Sequence, residues 1–376
     1  LIVLNIALCE QDIFRIIILE KSINIVMVQK RAVLCGYYGK GNVGDEALLA
    51  SLLQMLPENI EPMVLSGNPG QTETSYQVEA CDRMSPFQVL QAMQKADLFI
   101  WGGGSLIQDA TSAASPLYYG GLMGLAQQRK IPTVAWAQGI GPLNRRSTQI
   151  LAKNCFTGCR AVSVRDEGSA NILKNWSIPY TIAPDPVWAL EETIVGGMWN
   201  LPNPRIAVTL RVHPDLTPLR VSHLTKALQI FQAATNSFIL LIPFQPEQDR
   251  AIAEYIHRYL PEHSQIFNLD DPRMLKGIFQ GVEMAIGMRY HSLIMAAGAE
   301  CRCFALSYDP KVSQLMTDLK MPGWNLTEIP EDPQEIAKSW LDCYENQQPL
   351  TEAEIDELKE KARLHQKLLF DLVSHL

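Results

Sequence analysis

From Arg31 onward, short uninterrupted apolar runs alternate with longer stretches of helical length. The runs Ala32–Cys35, Met63–Leu65, Leu98–Trp101, Thr133–Ala137, Ala161–Val164 and Tyr180–Ile182 predict strands. Between them, Glu46–Met55, Pro86–Lys95 and Thr148–Thr157 predict helices. A strand that is apolar throughout must be covered on both faces, as in a parallel sheet clad by its crossover helices. The pattern breaks at Glu191–Pro204, where Gly196-Gly197 and Pro202-Asn203-Pro204 have the composition of a linker. A second series follows, with strands Ile206–Leu210, Phe238–Ile242, Ile266–Leu269, Met284–Ile286 and Cys303–Leu306 and helices Val221–Thr235 and Glu247–Tyr259. Helices Pro333–Tyr344 and Thr351–Val373 close the chain, the latter opening on a capping box at Thr351–Glu354. The expected fold is α/β, with two Rossmann-like doubly wound domains facing a cleft. The expected units are residues 27–190, a linker at 191–204, residues 205–330, and terminal helices at 331–376.

A chain of 376 residues, 47% of them hydrophobic, has enough apolar mass for two cores. Its net charge of −8 argues against a nucleic-acid binder, which needs a broad basic face. Eight cysteines are scattered, mostly within apolar runs, and read as buried thiols of a reducing compartment. Cys155-x3-Cys159 and Cys301-x-Cys303 lack the paired spacing of a zinc site, so no metal is expected. Residues 1–26 are apolar but broken by Glu10, Asp12, Arg15, Glu20 and Lys21. They are too interrupted for a membrane span and lack the order of a secretory signal. They are expected to be an extension outside the fold, with Met27 just before the first strand and a cytoplasmic location for the protein.

Ligands of doubly wound sheets bind beyond the carboxyl ends of the strands, and the informative residues stand there. Ala32–Cys35 runs into Gly36-Tyr37-Tyr38-Gly39-Lys40-Gly41-Asn42-Val43-Gly44-Asp45-Glu46. Gly39 to Gly44 spells G-x-G-x-x-G, whose glycines let backbone N–H groups approach an anion at a helix start. The second strand ends Val64-Leu65-Ser66, without the acid that a dinucleotide ribose requires, and no Gly-Lys-Ser/Thr follows. A tight turn, or a loop for a sugar or phosphate, remains. Gly102-Gly103-Gly104-Ser105 follows the strand at Leu98, and Gln138-Gly139-Ile140-Gly141-Pro142 follows the strand at Thr133. Three such loops on one rim exceed what turn chemistry needs. Their neutral and acidic groups suit a sugar, and the candidate acceptor residues are Gly39, Asn42, Gly44, Asp45, Glu46, Gly103, Gly104, Gln138 and Gly139.

In the second half, a strand ends Thr209-Leu210-Arg211, and another runs into Gly287-Met288-Arg289-Tyr290-His291-Ser292. Arginine offers a planar fork for carboxylate or phosphate, and histidine carries a proton near neutral pH. The remaining histidines, His213, His223, His257, His263, His365 and His375, read as surface residues. Asp185-Pro186 reads as a turn at the domain junction. Lys40, Arg129, Lys130, Arg145 and Arg146 form a basic set suited to peripheral contact with anionic lipid.

Taken in order, Gly36-Tyr37-Tyr38-Gly39 with Asn42-Val43-Gly44-Asp45-Glu46, Gly102-Gly103-Gly104-Ser105-Leu106, Gln138-Gly139-Ile140-Gly141-Pro142, Ser163-Val164-Arg165-Asp166 and Gly287-Met288-Arg289-Tyr290-His291 resemble the polysaccharide pyruvyl transferase family, in particular its CsaB-like cell-wall branch. The resemblance runs from about Arg31 to Asp318 and leaves out residues 1–26. It implies a GT-B-like fold and phosphoenolpyruvate as co-substrate, with no other cofactor. It also implies a cyclic pyruvate ketal on a hexose, in this branch N-acetylmannosamine of a lipid-linked cell-wall precursor whose polymer anchors surface-layer proteins. Arg289 and His291 match the family positions that bind the donor and supply the acid, and Arg211 matches a further donor-binding arginine. The competing readings are a GT-B glycosyltransferase using a nucleotide sugar and a non-catalytic sugar-binding protein.

Overall fold

Two parallel sheets carry the alternation seen in the sequence. The computed structural model describes residues 29–110 and 114–376; the segment 1–26 lies outside the described residues. The first sheet contains β1 (Lys30–Cys35), β2 (Ile60–Ser66), β3 (Glu79–Asp82), β4 (Leu98–Trp101), β5 (Gly104–Ile107), β6 (Thr133–Ile140), β7 (Ala161–Val164) and β8 (Thr181–Ile182), in the order β3-β2-β1-β4-β6-β7-β8 with β5 beside β6. The second contains β9 (Arg205–Thr209), β10 (Phe238–Leu241), β11 (Ser264–Ile266), β12 (Met284–Gly287), β13 (Arg302–Ser307) and β14 (Gly323–Asn325), in the order β11-β10-β9-β12-β13-β14. Every pairing is parallel, with Val33 opposite Met63 and Phe99, and Val208 opposite Leu241 and Ile286. Strands β4, β6, β9, β10 and β12 are buried along their whole length, which is why they read as largely apolar runs.

The strand order of each sheet reverses once, between β1 and β4 in the first and between β9 and β12 in the second. On one face of the first sheet lie α3 (Pro86–Gln94), α4 (Ala114–Gln128) and α5 (Arg146–Thr157), which follow α1 (Val43–Met55) and α2 (Pro69–Tyr76) in the chain. The opposite face, covered by α1, shares one apolar cluster with the second domain: Leu48, Leu49 and Leu52 belong with Trp188, Leu275, Ile278 and Leu293. The Lys276 ammonium reinforces this junction by donating to the carbonyls of Val187, Trp188 and Leu190. Burial lowers that ammonium to about 8, with Glu192 opposing the shift.

Three sequence expectations are corrected. The second glycine loop is in part a strand, because β5 starts at Gly104 and pairs with an extended β6 that absorbs Gln138 and Gly139. Gly102 keeps the chain close to its neighbours, since a Cβ there would lie 2.0 Å from Tyr38 Oη. The single terminal helix is two, Glu352–Ala362 and Leu364–Val373, although the Thr351 capping box forms as read. The break at Arg363 brings the last helix back onto the first domain. There His365 is fully buried rather than on the surface, its Nδ1 2.9 Å from Ser163 Oγ and its Nε2 3.0 Å from the Pro184 carbonyl. Among the described residues no helix is long and apolar enough to cross a membrane. The seven described cysteines are free thiols.

Candidate active site

The two points of sheet reversal open onto a common cleft of about 480 Å³. From the first domain it is lined by Tyr37, Asn42, Gly44, Asp45, Gly104, Ser105 and Arg165, and from the second by Arg211, Arg289, His291, Tyr308 and Lys311. Asn42, Gly44 and Asp45 follow β1; Gly104 and Ser105 follow β4; Arg211 follows β9; Arg289 and His291 follow β12.

Arg289 stands at the N-cap of α10 (Tyr290–Ala297), where α6 (Glu167–Asn175), α7 (Pro218–Thr235), α8 (Pro246–Tyr259) and α9 (Pro272–Phe279) are the preceding helices. Its side chain is buried, and Nη2 donates to Asp249 Oδ2 at 2.6 Å. Burial lowers the guanidinium from its ordinary value; the Asp249 carboxylate opposes this and Arg211 adds to it. Arg211 donates from Nη1 to Tyr308 Oη at 2.7 Å and lies over the Tyr308 ring. The Nε atoms of Arg289, Arg211 and Arg165 are buried and have no protein partner among the described residues. Buried donors left open in a cationic cleft mark a place for an anion's oxygens.

His291 sits between the domains. Its Nε2 lies 3.5 Å from Asp185 Oδ2, a distance for an ion pair once the ring is protonated. Asp185 in turn accepts from Arg165 Nη1 at 2.6 Å. Burial would raise the Asp185 carboxyl, but Arg165 and His291 outweigh it and hold the group well below the usual carboxylate range. The other side of the ring meets Gly44, where a Cβ would lie 2.4 Å from Nδ1. Asp45 faces the same space. Burial raises its carboxyl above the ordinary value, against the pull of His291, Arg165, Arg289 and Lys311. Lys311, in the first turn of α11 (Pro310–Asp318), reaches across to donate to Ser105 Oγ. Burial lowers its ammonium to about 8, with Arg165 adding and Asp309 opposing.

The sequence profile of the polysaccharide pyruvyl transferase family matches residues 42–310, which takes in every one of these groups except Tyr37 and Lys311. The chain belongs to this family. It is therefore a transferase, and polysaccharide pyruvylation is its general class of reaction. Among curated proteins, none matches the transferase by sequence at a significant level. Solved structures match its fold. The UDP-GlcNAc 2-epimerase of Methanocaldococcus jannaschii has a TM-score of 0.62 at 10% identity, covering 91% of this chain and 99% of the epimerase. The Neisseria meningitidis UDP-GlcNAc 2-epimerase bound to UDP-GlcNAc has a TM-score of 0.60 at 11% identity, covering 90% and 100%. Anabaena HepE in complex with UDP and glucose has a TM-score of 0.57 at 12% identity, covering 92% and 100%. At these identities the likeness places the transferase in the GT-B-like fold and says nothing of its substrates.

The tertiary structure sorts the candidate acceptor residues into two groups. Asn42, Gly44, Asp45 and Gly104 line the cleft; Gly39, Glu46, Gly103, Gln138 and Gly139 stand behind its wall. Glu46 accepts from the Gly39 amide at 2.8 Å and from Tyr76 Oη at 3.1 Å, so it holds the glycine loop in shape. Gly103 backs onto Leu48, and Gly139 backs onto Ser105. Gln138 is fully buried and donates to the Trp136 carbonyl at 3.0 Å. The loop amides expected to cradle an anion are engaged within the protein. Val43 N donates to the Phe244 carbonyl at 3.0 Å and Gly44 N to Asn42 Oδ1 at 3.1 Å. The groups in this cleft that suit an anion are thus its side-chain cations.

Sequence reasoning missed Arg165, Asp185, Asp249 and Lys311 as site residues. Asp249 looks like an ordinary acid in the first turn of a helix, which the macrodipole favours. Lys311 carried a usable signal, since the same macrodipole disfavours a cation in a first turn. Arg165 carried one as well, as a charged residue at the end of a buried strand.

Proposed function

We propose that the cleft transfers pyruvate from phosphoenolpyruvate to a hexose unit, closing a cyclic ketal on two hydroxyls and releasing inorganic phosphate. The observation that supports this reading is the grouping of Arg165, Arg211, Arg289 and Lys311 around His291 in one cavity. Phosphoenolpyruvate presents a carboxylate and a phosphate about one carbon apart, and such a ligand suits several convergent cations, including two arginine forks.

In the proposed reaction, His291 gives its proton to C3 of the donor while the oxygen of the first sugar hydroxyl bonds to C2. The C2–O bond to phosphate then breaks, and phosphate leaves with the electron pair toward the guanidinium groups. The second hydroxyl closes the ring at C2. Of the two hydroxyl protons, one passes to Asp45 and the other leaves with phosphate, so His291 is re-protonated as Asp45 returns its proton. Asp185, kept ionised by Arg165, lies 3.5 Å from His291 Nε2 and would pair with the ring once it carries the proton. A carboxyl that burial has raised, as in Asp45, is suited to exchanging a proton with a hydroxyl.

The first-domain side, with Asn42, Asp45 and Gly104, is the proposed place for the acceptor. The acceptor we favour is N-acetylmannosamine in a lipid-linked cell-wall precursor, with the protein working at the cytoplasmic face. The test is incubation of candidate lipid-linked glycans with phosphoenolpyruvate, followed by mass spectrometry for the pyruvyl adduct and a parallel phosphate assay. An adduct with matching phosphate release is the expected result. Thermal protection by UDP-sugars and none by phosphoenolpyruvate would overturn the reading in favour of a glycosyltransferase.

A further inference from the structure

We propose that the rim of the first domain beside the cleft docks on an anionic lipid bilayer. The surface is independent of the reaction assigned to the cleft. Helices α3, α4 and α5 lie side by side and bury Val89, Met93, Tyr119, Met123, Ala152 and Phe156 in one cluster against the first sheet. Helices α4 and α5 run parallel, since a Cβ at Gly120 would meet Leu151 and one at Gly158 would meet Gln127. The N-terminal turns of all three therefore lie at the carboxyl end of the sheet, where the cleft opens. Those turns expose large apolar side chains: Phe87 is 76% exposed, Leu117 68%, Met84 67% and Ile150 54%. Tyr118 Oη donates to the Arg83 carbonyl at 2.7 Å, which sets the Met84 turn beside the start of α4. Ser115 and Tyr119 of that same helix start line the cleft.

Residues 83–160 carry eight Lys and Arg and two Asp, of which Arg145 and Arg146 stand exposed at this rim; Arg83 is buried, Lys95, Arg129, Lys130 and Arg160 lie at the other end of the sheet, and Asp82 accepts from the Met84 amide. Both aspartates of that segment are engaged: Asp97 accepts from the Arg31 amide, and buried Asp109 accepts from the Asn144 and Arg145 amides. Arg145 and Arg146 are exposed at the start of α5, and Ile150 follows Arg146 one turn on along the same helix face. Arg129 and Lys130 lie past the far end of α4, about 20 Å away at 1.5 Å per residue, so the basic set read from the sequence is not one patch.

Exposed Phe, Leu, Ile and Met edged by arginine is the makeup of a surface that enters a headgroup layer. A soluble polyanion would engage the arginines but gain little from Phe87 or Leu117. A second copy would set the same basic face against itself, which a two-fold contact penalises.

The test is sedimentation of the full chain with vesicles of phosphatidylcholine alone or mixed with phosphatidylglycerol. Binding should require phosphatidylglycerol and weaken with salt. Phe87→Ser combined with Leu117→Ser, and separately Arg145→Ser combined with Arg146→Ser, should each weaken it by about tenfold or more, with the unfolding temperature unchanged. Binding that ignores lipid charge, or that both double variants retain, would overturn the proposal. So would retention on a soluble polyanion without vesicle binding, or a dimer in ultracentrifugation that Phe87→Ser with Leu117→Ser abolishes.

Discussion

At Gly44 the site has no room for a methyl group. The residue lies in the first turn of α1 and is not among the glycines held at positive φ, so its backbone accepts alanine. Its Cβ would press to 2.4 Å from His291 Nδ1. Gly44→Ala is therefore expected to fold and to lose at least about tenfold in kcat through displacement of the ring. Unchanged turnover would show that the ring position does not matter. Arg289 and His291 should fail differently. Arg289→Ala removes a charge-assisted contact and should raise the donor Kd by about ten- to a hundredfold, with Arg289→Lys a partial rescue. His291→Ala should lower kcat by about 10²–10⁴-fold with donor affinity changed far less. Binding calorimetry with single-turnover kinetics separates the two, and near wild-type turnover in His291→Ala would remove the proposed acid.

Among the elements, α11 does the least expected work, because its first turn delivers Lys311 across the cleft to Ser105. Lys311 is charged below about pH 8 and loses its charge as the pH rises through that value. Donor KM should accordingly rise between pH 7 and 9.5, whereas Lys311→Arg, which does not titrate there, should hold it flat. A wild-type profile without that rise would show that the ammonium does not hold the donor. The same element scale shows why strands were easier to read than their edges. The buried central strands are largely apolar, but β3 is Glu79–Asp82, a half-exposed edge whose composition carries no strand signal. Strand β5 was hidden because it opens on Gly104, the last of three glycines that look like a loop.

In the molecule as a whole, the last helix crosses back from the second domain to clasp the first, with His365 at its point of contact. Burial lowers this imidazole to about 4, although the Pro184 carbonyl and Asp185 favour the charged form. A folded value below the unfolded value of about 6.5 means that the clasp is at full strength above pH 6.5 and weakens as pH falls toward 4. The loss should approach about 3 kcal/mol over that window. Urea midpoints measured from pH 7 to 4.5 should fall steeply in the wild type and less steeply in His365→Gln. Parallel curves would show that His365 is not the titrating group. The shared apolar cluster under α1 ties the domains together, so this clasp adds to a junction that is already packed.

The sequence by itself determined that there are two parallel sheets and which residues stand at many of the strand ends. These are local properties, set by apolar runs, glycines and the chemistry of a few consecutive residues. It did not determine which strand-end residues face the cleft and which support it. Glu46 is adjacent to Asp45, yet it pins Gly39 from behind while Asp45 lines the cavity. The partners that give the site its charge pattern are distant in the chain: Arg289 and Asp249 are 40 residues apart, Lys311 and Ser105 are 206, and His365 and Ser163 are 202. No local pattern encodes such pairs. They exist only once two sheets, each reversing at its own switch point, are packed with those points face to face.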